Sequence, residues 1–215
     1  MWKLLVLLVA AAFADDGNYD YEESRERHII LSGSSFQNTR KCVMARNIRE
    51  QIDRHHNYLR QQVARGKSYM GRDFEGRQMT GLVYDCALEE EAQKEQENPG
   101  SAPNKYGKVK ITWEYKRGMI NDLQTALEAT TADDDKLRQM INQKTTRFGC
   151  WGYLGRIPPK NIRGGQLVCI YDKKGRRKDK IIEGEYCYDG DEYYGYSNCT
   201  IVENAVCKWN LCYVL

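Results

Sequence analysis

Residues 47–66 read NIREQIDRHHNYLRQQVARG, and their apolar side chains recur at the spacing of one helical face. The apolar positions are Ile48, Ile52, Leu59 and Val63. Gly66 stands where such a helix would end. This stretch therefore predicts one amphipathic helix with a single buried face.

His55 and His56 lie in the middle of this helix, in a chain that has 3 histidines in all. Adjacent residues of a helix point about 100° apart, so the two imidazoles cannot face one metal ion as a pair four positions apart can. We therefore expect one histidine to pack and form hydrogen bonds at the edge of the core, and the other to face solvent.

The first residues, MWKLLVLLVAAAFA, have the features of a secretory signal peptide spanning residues 1–14. Lys3 supplies the positive start, an apolar run follows, and Ala14 ends a small-residue cleavage site. The run is shorter than the roughly 20 apolar residues that span a bilayer, and no second long run follows. The sequence thus predicts a secreted, extracellular protein that is not anchored in a membrane.

Residues 15–41 are acidic, rich in tyrosine and poor in apolar side chains, which predicts a flexible leader. Tyr19 and Tyr21 lie among carboxylates and could be sulfated, but the composition favours a plain solvated tail. We expect the ordered part of the chain to begin near Cys42.

Composition limits the redox state and the classes of partner. The 8 cysteines are an even number, and in an exported chain they indicate disulfides. No Cys-x-x-Cys pair exists, so a structural zinc site is not favoured. The formal net charge of +3 is too small to indicate a nucleic-acid partner.

A second helix is predicted after Asp85, which is a good N-cap residue, and Pro99 with Gly100 would end it. Residues 89–91 are three consecutive glutamates in its first turns, where carboxylates suit the positive end of the helix dipole. They fan around the helix without a burial signal, so we interpret them as solvated rather than catalytic.

The remaining pattern alternates helices and strands. Residues 105–115 alternate as a half-buried strand does, 118–129 have helical spacing, and 133–143 predict a short helix capped by an aspartate. Residues 145–154 and 164–172 predict two paired strands, each with a central cysteine. The order lacks the βαβ rhythm of a parallel sheet, so we expect an α+β fold with an antiparallel sheet between helices.

These segments, taken together, resemble the CAP superfamily. The resemblance runs from Cys42 to Cys212 and is carried by HNYLRQQVARG at 56–66, MTGLVYDCALEEEAQ at 79–93, Gln139-Met140 leading to TTRFGC, LVCIYDKKG, and a final NLC. More narrowly, the chain is similar to nematode secreted proteins of the venom-allergen and Ancylostoma-secreted-protein type. The resemblance implies an α-β-α sandwich at 42–182 and a loop-rich, disulfide-stapled extension at 183–215.

The chain departs from the family at the central cavity, which in intact members holds two histidines and two glutamates that can bind zinc. Lys136 stands at one histidine position, and Lys108 replaces a glutamate if Gly107-Lys108-Val109 aligns with the family's Gly-Glu-Asn triplet. No histidine follows His56. A protonated lysine cannot ligate a metal and repels a dication. We therefore expect no metal and no cofactor.

The same comparison bears on catalysis. His56 and Asn57 match a family pair that lies on the first helix and supports the fold. Without partner histidines or a paired nucleophile, these residues form no credible catalytic constellation. The expectation is a protein that is not an enzyme, with a hydrolase as a distant alternative.

The resemblance also implies the disulfide pairing. The expected pairs are Cys42 with Cys86, Cys150 with Cys169, Cys187 with Cys207, and Cys199 with Cys212. Among the last four cysteines, the sequence by itself leaves other pairings open.

Two surface segments are candidates for binding. The first, here called the basic turn, spans residues 173–180, and its six basic residues are Lys173, Lys174, Arg176, Arg177, Lys178 and Lys180. It could bind a sulfated glycan or another anionic partner, although a solvated turn is the simpler interpretation. The second is a tyrosine-rich part of the extension that could bind a protein or pack on the sandwich. Its tyrosines are Tyr188, Tyr193, Tyr194 and Tyr196.

Asn198 begins an Asn-Cys-Thr glycosylation sequon, although a bridged Cys199 would lower its occupancy. For the whole chain, two function classes follow from the resemblance. One is a secreted, non-catalytic, immunomodulatory protein that binds an extracellular host protein or glycan. The other is a lipid or sterol carrier, whose site would be expected near the basic turn.

Overall fold

The computed structural model describes residues 42–157, 162–188 and 198–214. Its helices are α1 (Arg46–Ala64), α2 (Cys86–Glu97), α3 (Met119–Thr130) and α4 (Asp134–Met140). Its strands are β1 (Val83–Tyr84), β2 (Gly107–Glu114), β3 (Arg147–Ile157), β4 (Ile162–Tyr171), β5 (Val206–Lys208) and β6 (Leu211–Tyr213). The predicted signal peptide and leader, with Tyr19 and Tyr21, lie outside the described residues, as do Tyr193, Tyr194 and Tyr196.

The central sheet has four strands in the order β1-β3-β4-β2. β3 pairs with β4, and β4 with β2, in antiparallel register, as the sequence predicts. At one edge the sheet has a short parallel pair that was not predicted, in which the two residues of β1 pair with Arg147 and Phe148 of β3. So short a strand leaves no alternation in the sequence from which its direction could be predicted.

Helices cover both faces of the sheet. The larger apolar cluster joins residues of α1, α3 and α4 to one face, whereas the smaller cluster joins α2 to the other. α2 approaches β3 closely at Gly149, where an added Cβ would lie 2.2 Å from the backbone nitrogen of Glu89. The result is an α-β-α sandwich, which is the predicted architecture.

Two helices begin at aspartates, as the sequence predicts. The Asp85 carboxylate accepts hydrogen bonds from the backbone N–H groups of Ala87 and Leu88, and Asp133 caps α4 in the same way. These bonds satisfy amides that have no partner within the helix.

Glu89 corrects the solvated interpretation of the three consecutive glutamates. It is 2% exposed, and its carboxylate accepts hydrogen bonds from the backbone nitrogens of Val43 and Met44 and from the Tyr84 hydroxyl. Glu89 therefore fastens the segment before α1 to the start of α2.

Four disulfides join the described chain in the pairs that the resemblance implies. Cys187–Cys207 and Cys199–Cys212 tie the hairpin of β5 and β6 into the extension. The extension also contacts the sandwich, because the backbone of Cys212 bonds to Met79 and Gly81. Among the described residues, no helix has both the length and the apolar character needed to cross a membrane.

Candidate functional site

Both histidines of α1 are buried. His55 is 6% exposed and His56 is 0% exposed, so the prediction that one of them faces solvent is wrong. The loop after α1 folds back and places the ring of Tyr69 6.3 Å from that of His55, centroid to centroid. The periodicity of α1 by itself does not predict that the loop after the helix covers His55.

Both ring nitrogens of His56 are used in structural hydrogen bonds. Nδ1 lies 2.8 Å from the carbonyl oxygen of Ile52, which can only accept, so Nδ1 carries the proton. Nε2 then accepts from the Tyr171 hydroxyl at 2.6 Å. Burial lowers the pKa of His56 to about 4. His56 is therefore neutral at physiological pH and joins α1 to β4.

Asn57 joins the same helix to the segment leading into β1. Its side chain accepts from the backbone nitrogen of Leu82 at 2.8 Å and donates to the Leu82 carbonyl at 2.9 Å. It also donates to Asp53, whose pKa is raised by burial. Asp53 thus bonds to the side-chain amide of Asn57, and the ring nitrogens of His56 bond to Ile52 and Tyr171. Asp53 and His56 therefore do not form an acid–base pair.

Arg60 is a buried residue that the sequence reasoning missed. Its guanidinium is 0% exposed and donates to the carbonyl oxygens of Thr80, Met140, Asn142 and Thr145 and to the Thr80 hydroxyl. Burial lowers the pKa of Arg60 to about 9. These bonds join α1 to the end of α4 and to the loops before β1 and β3, and no described carboxylate bonds to the guanidinium directly.

The basic turn and α4 enclose a cleft of about 360 Å³, here called the basic cleft. Its lining carries six cationic side chains, Arg77, Arg138, Lys144, Arg176, Arg177 and Lys180, and two carboxylates, Asp134 and Asp179. Of the six predicted basic-turn residues, three line this cleft and three do not. The three outside it are Lys173, Lys174 and Lys178, all exposed.

Contacts with α4 hold the basic turn in place. The Gln139 side chain donates to the Gly175 carbonyl at 2.8 Å and accepts from the Gly175 nitrogen at 2.9 Å. Arg138 and Arg177 both bond to Asp135, at 2.6 and 3.3 Å, and these bonds lower the pKa of that carboxylate. The turn is therefore a folded wall of the cleft, while its basic side chains remain exposed to solvent.

The two lysines at the predicted cavity positions lie on opposite faces of the sheet. Lys108 faces α2 and forms an ion pair with Glu95 at 3.1 Å. Lys136 belongs to α4, which packs on the other face, and lies 3.7 Å from Asp133. The structure does not bring Lys108 and Lys136 into one site.

Comparison with known proteins places this architecture in a family. Two solved structures of the Ancylostoma-secreted protein Ac-ASP-7, one of them manganese-bound, are each 37% identical to the chain, with a TM-score of 0.68. Each match covers 81% of this chain and 92% of the relative. The chain belongs to the CAP superfamily. Na-ASP-1, 19% identical with a TM-score of 0.60 over 80% of this chain and 48% of its own, shares the fold. No protein-family model and no curated protein matches the chain.

The residues present do not fit the metal site that CAP membership implies. Lys136 pairs with Asp133, Lys108 lies on the other face, and the Gln139 amide is satisfied by Gly175. Within the described ranges, the one group of three potential ligands close together comprises sulfurs of Cys187, Cys199 and Cys212. All three are disulfide-bonded and offer no thiolate.

The remaining predicted site residues of this CAP chain lie in its extension. Tyr188 is half-buried, and Asn198 is exposed, with its carbonyl oxygen accepting from Gln78 at 3.0 Å. The exposure of Asn198 is compatible with glycosylation, which stays a prediction, as does protein binding by the tyrosines.

A second concave surface, here called the apolar groove, was not predicted. It encloses about 220 Å³ between the segment entering α1, the start of α3 and the central strands. Its lining comprises Val43, Met44, Ala45, Ile48, Trp113, Met119, Leu123, Trp151, Gly152, Tyr153, Leu154 and Leu167. Because these residues come from distant segments, periodicity within any one of them gives no sign of the groove.

Proposed function

We propose that this CAP-domain chain is a secreted, non-enzymatic protein that binds an extracellular anionic partner, with a sulfated glycan of host tissue as the favoured class. The observation that carries the proposal is the surplus of cations in the basic cleft, six against two carboxylates. A concave surface of one charge sign raises the local concentration of oppositely charged ligands. An immunomodulatory role would follow from occupying such a partner.

Three features support export, and the state of the histidines supports the absence of catalysis. The first residues have a signal-peptide pattern, the described cysteines are all disulfide-bonded, and the relative Ac-ASP-7 is named a secreted protein. The only histidines of the described chain, His55 and His56, are buried, and burial lowers both pKa values. Neither is available to activate a nucleophile in a cleft.

The lining of the basic cleft favours a glycan over a protein partner. Its apolar members are the aliphatic residues Leu137, Ile141 and Ile181, and none of the described lining residues is aromatic. Protein interfaces gain most of their affinity from buried aromatic and arginine anchors in apolar pockets. A sulfated glycan instead gains affinity from several charge-assisted hydrogen bonds between its sulfate groups and cationic side chains.

The basic turn supplies its own matched control for a test. In one triple variant, Arg176, Arg177 and Lys180 of the cleft wall are changed to Gln, and in the other, Lys173, Lys174 and Lys178 are changed. Both lose the same charge. On a heparin column, the cleft variant should elute at clearly lower salt than wild type, and the control should elute close to it. Equal losses would mean diffuse attraction only, and an unretained wild type would end the proposal.

Carriage of a lipid or sterol is the second candidate, and the apolar groove favours it. The groove lies apart from the basic turn, near which the resemblance suggests such a site and where charged side chains line the cleft. The groove, at about 220 Å³, is smaller than the roughly 300–1,000 Å³ usual for ligand pockets, which places carriage second. Organic extraction of purified protein followed by mass spectrometry tests it: a stoichiometric lipid would favour carriage over glycan binding.

A further inference from the structure

Arg77 is a largely buried cation of the basic cleft, and its side chain forms no hydrogen bond among the described residues. The residue is 8% exposed, and its Nε atom is buried without an acceptor. Arg60, by contrast, is 0% exposed and donates five hydrogen bonds from its guanidinium. No ion pair of Arg77 is formed among the described residues, and Glu75 acts on it only through space.

Such a guanidinium is costly in a folded protein. Withdrawing a charge from water is repaid only when hydrogen bonds and an opposite charge replace the lost hydration. Burial accordingly lowers the pKa of Arg77. Since Arg77 also lines the basic cleft, an anion that enters the cleft could accept hydrogen bonds from the terminal nitrogens of its guanidinium, which are not among the inaccessible atoms.

The other cations that line the cleft limit the chemical class of anion that could bind there. Arg138 and Arg177 are already engaged by Asp135, whereas Lys144, Arg176 and Lys180 form no ion pair among the described residues. A group with several acceptor oxygens could therefore bond to Arg77 and still offer oxygens to the lysines at the rim. Tetrahedral oxyanions have that geometry, and the guanidinium fork matches two of their oxygens.

We propose that Arg77 anchors one tetrahedral oxyanion, a sulfate or phosphate ester group, in the basic cleft. The inference rests on the proposed function and deepens it: the cleft holds one such group in a fixed place, and the exposed basic residues attract the remainder of the ligand. Arg77 is then the specificity-determining contact of the site, and Arg176 and Lys180 contribute mainly to attraction.

The first test is thermal unfolding with millimolar sodium sulfate, sodium phosphate or sodium acetate, each at matched ionic strength against chloride. Wild type should gain stability from sulfate or phosphate and not from acetate. Arg77→Met should be at least as stable as wild type in chloride, because a buried unpaired charge is removed, and should lose the gain. Lys110→Met, an exposed residue outside the cleft, should keep it. Lower stability of Arg77→Met in chloride with an unchanged sulfate response would show a structural role and overturn the inference.

The second test is calorimetric titration with a sulfated heparin-derived tetrasaccharide and its desulfated form. Arg77→Met should weaken binding of the sulfated form by about 10- to 100-fold, as expected for buried hydrogen bonds to a charged group. Arg176→Met should weaken it by only about 2- to 5-fold. Arg77→Lys should fall between wild type and Arg77→Met, because a lysine keeps the charge without the fork.

The results separate the two proposals. If the wild type binds neither form of the tetrasaccharide, glycan binding fails, and a retained response to inorganic phosphate would point to a phosphorylated ligand at the same anchor. If the wild type binds the sulfated form and Arg77→Met binds it equally well, the anchor is wrong and only the general charge of the cleft acts. Equal stabilisation by acetate would overturn the tetrahedral class.

Discussion

Acid should destabilise this protein through its buried histidine. The pKa of His56 is about 4 in the folded chain, against the ordinary 6.5 of an exposed histidine. Between these values the unfolded chain binds a proton that the folded chain does not, so the free energy of unfolding rises with pH through this window and is lost as pH falls through it. The shift corresponds to about 3 kcal/mol between neutral pH and pH below 4.

The perturbation that isolates this contribution is His56→Gln, which removes the titrating group and keeps a polar side chain. Urea unfolding monitored by circular dichroism should be measured for both proteins at half-unit steps from pH 7.5 to 3.5. Whatever the substitution costs at pH 7, the difference between the two proteins should shrink by about 3 kcal/mol as pH falls from 6.5 to 4.

Other buried groups also contribute to the pH dependence of stability. The pKa of His55 is lowered by burial and adds to the loss in acid, whereas the pKa of Asp53 is raised by burial and opposes it. The contribution of Asp53 cancels in the comparison of wild type with His56→Gln, whereas part of that of His55 does not, because the charge of His56 also lowers the pKa of His55. Parallel stability curves between pH 6.5 and 4 would refute the reasoning, as would an imidazole signal of His56 that titrates near 6.5 by NMR.

Three further substitutions test the packing. Gly149→Ala should destabilise the fold by about 1–3 kcal/mol, because its Cβ would lie 2.2 Å from α2 backbone, whereas the Gly155→Ala control meets no atom closer than 3.6 Å; equal denaturation midpoints would contradict this. Glu89→Ala should cost about 2–3 kcal/mol, because it leaves the backbone nitrogens of Val43 and Met44 without an acceptor, while the Tyr84 hydroxyl can still donate to the Cys150 carbonyl. The exposed Glu90→Ala should cost almost nothing, and urea unfolding measures both. Arg60→Lys should lower the thermal midpoint by several degrees, because three donors replace five, and an unchanged midpoint would refute that assignment.

The sequence predicts the elements of this fold well, because their signals are local. The amphipathic pattern at 47–66, the cap at Asp85 and the paired strands around Cys150 and Cys169 each depend on residues a few positions apart. The family resemblance then supplied the layer order that no local pattern contains. The antiparallel pairing of the central strands and the α-β-α sandwich are both confirmed.

The missed residues share a physical cause, which is contact between segments distant in the chain. Glu89 is buried, unlike Glu90, because the backbone nitrogens of residues 43 and 44 donate to its carboxylate. Arg60 is buried because the carbonyl oxygens of residues 80, 140, 142 and 145 accept from its guanidinium. Arg77 has no periodic pattern around it and is recognised only by its burial beside the basic turn. Charged side chains are predicted to face solvent unless such partners are known, so sequence reasoning placed none of these three in the interior.

The segment from Met79 to Glu89 receives both terminal parts of the described chain. Cys212 pairs with its first residues through backbone bonds, and Cys42, Val43 and Met44 attach to its last ones through a disulfide and the Glu89 carboxylate. Fraying at either end must therefore break hydrogen bonds to one shared, mostly buried stretch. In amide hydrogen exchange, we expect residues 79–84 to exchange only when the whole domain opens, and the two ends to lose protection together rather than one after the other.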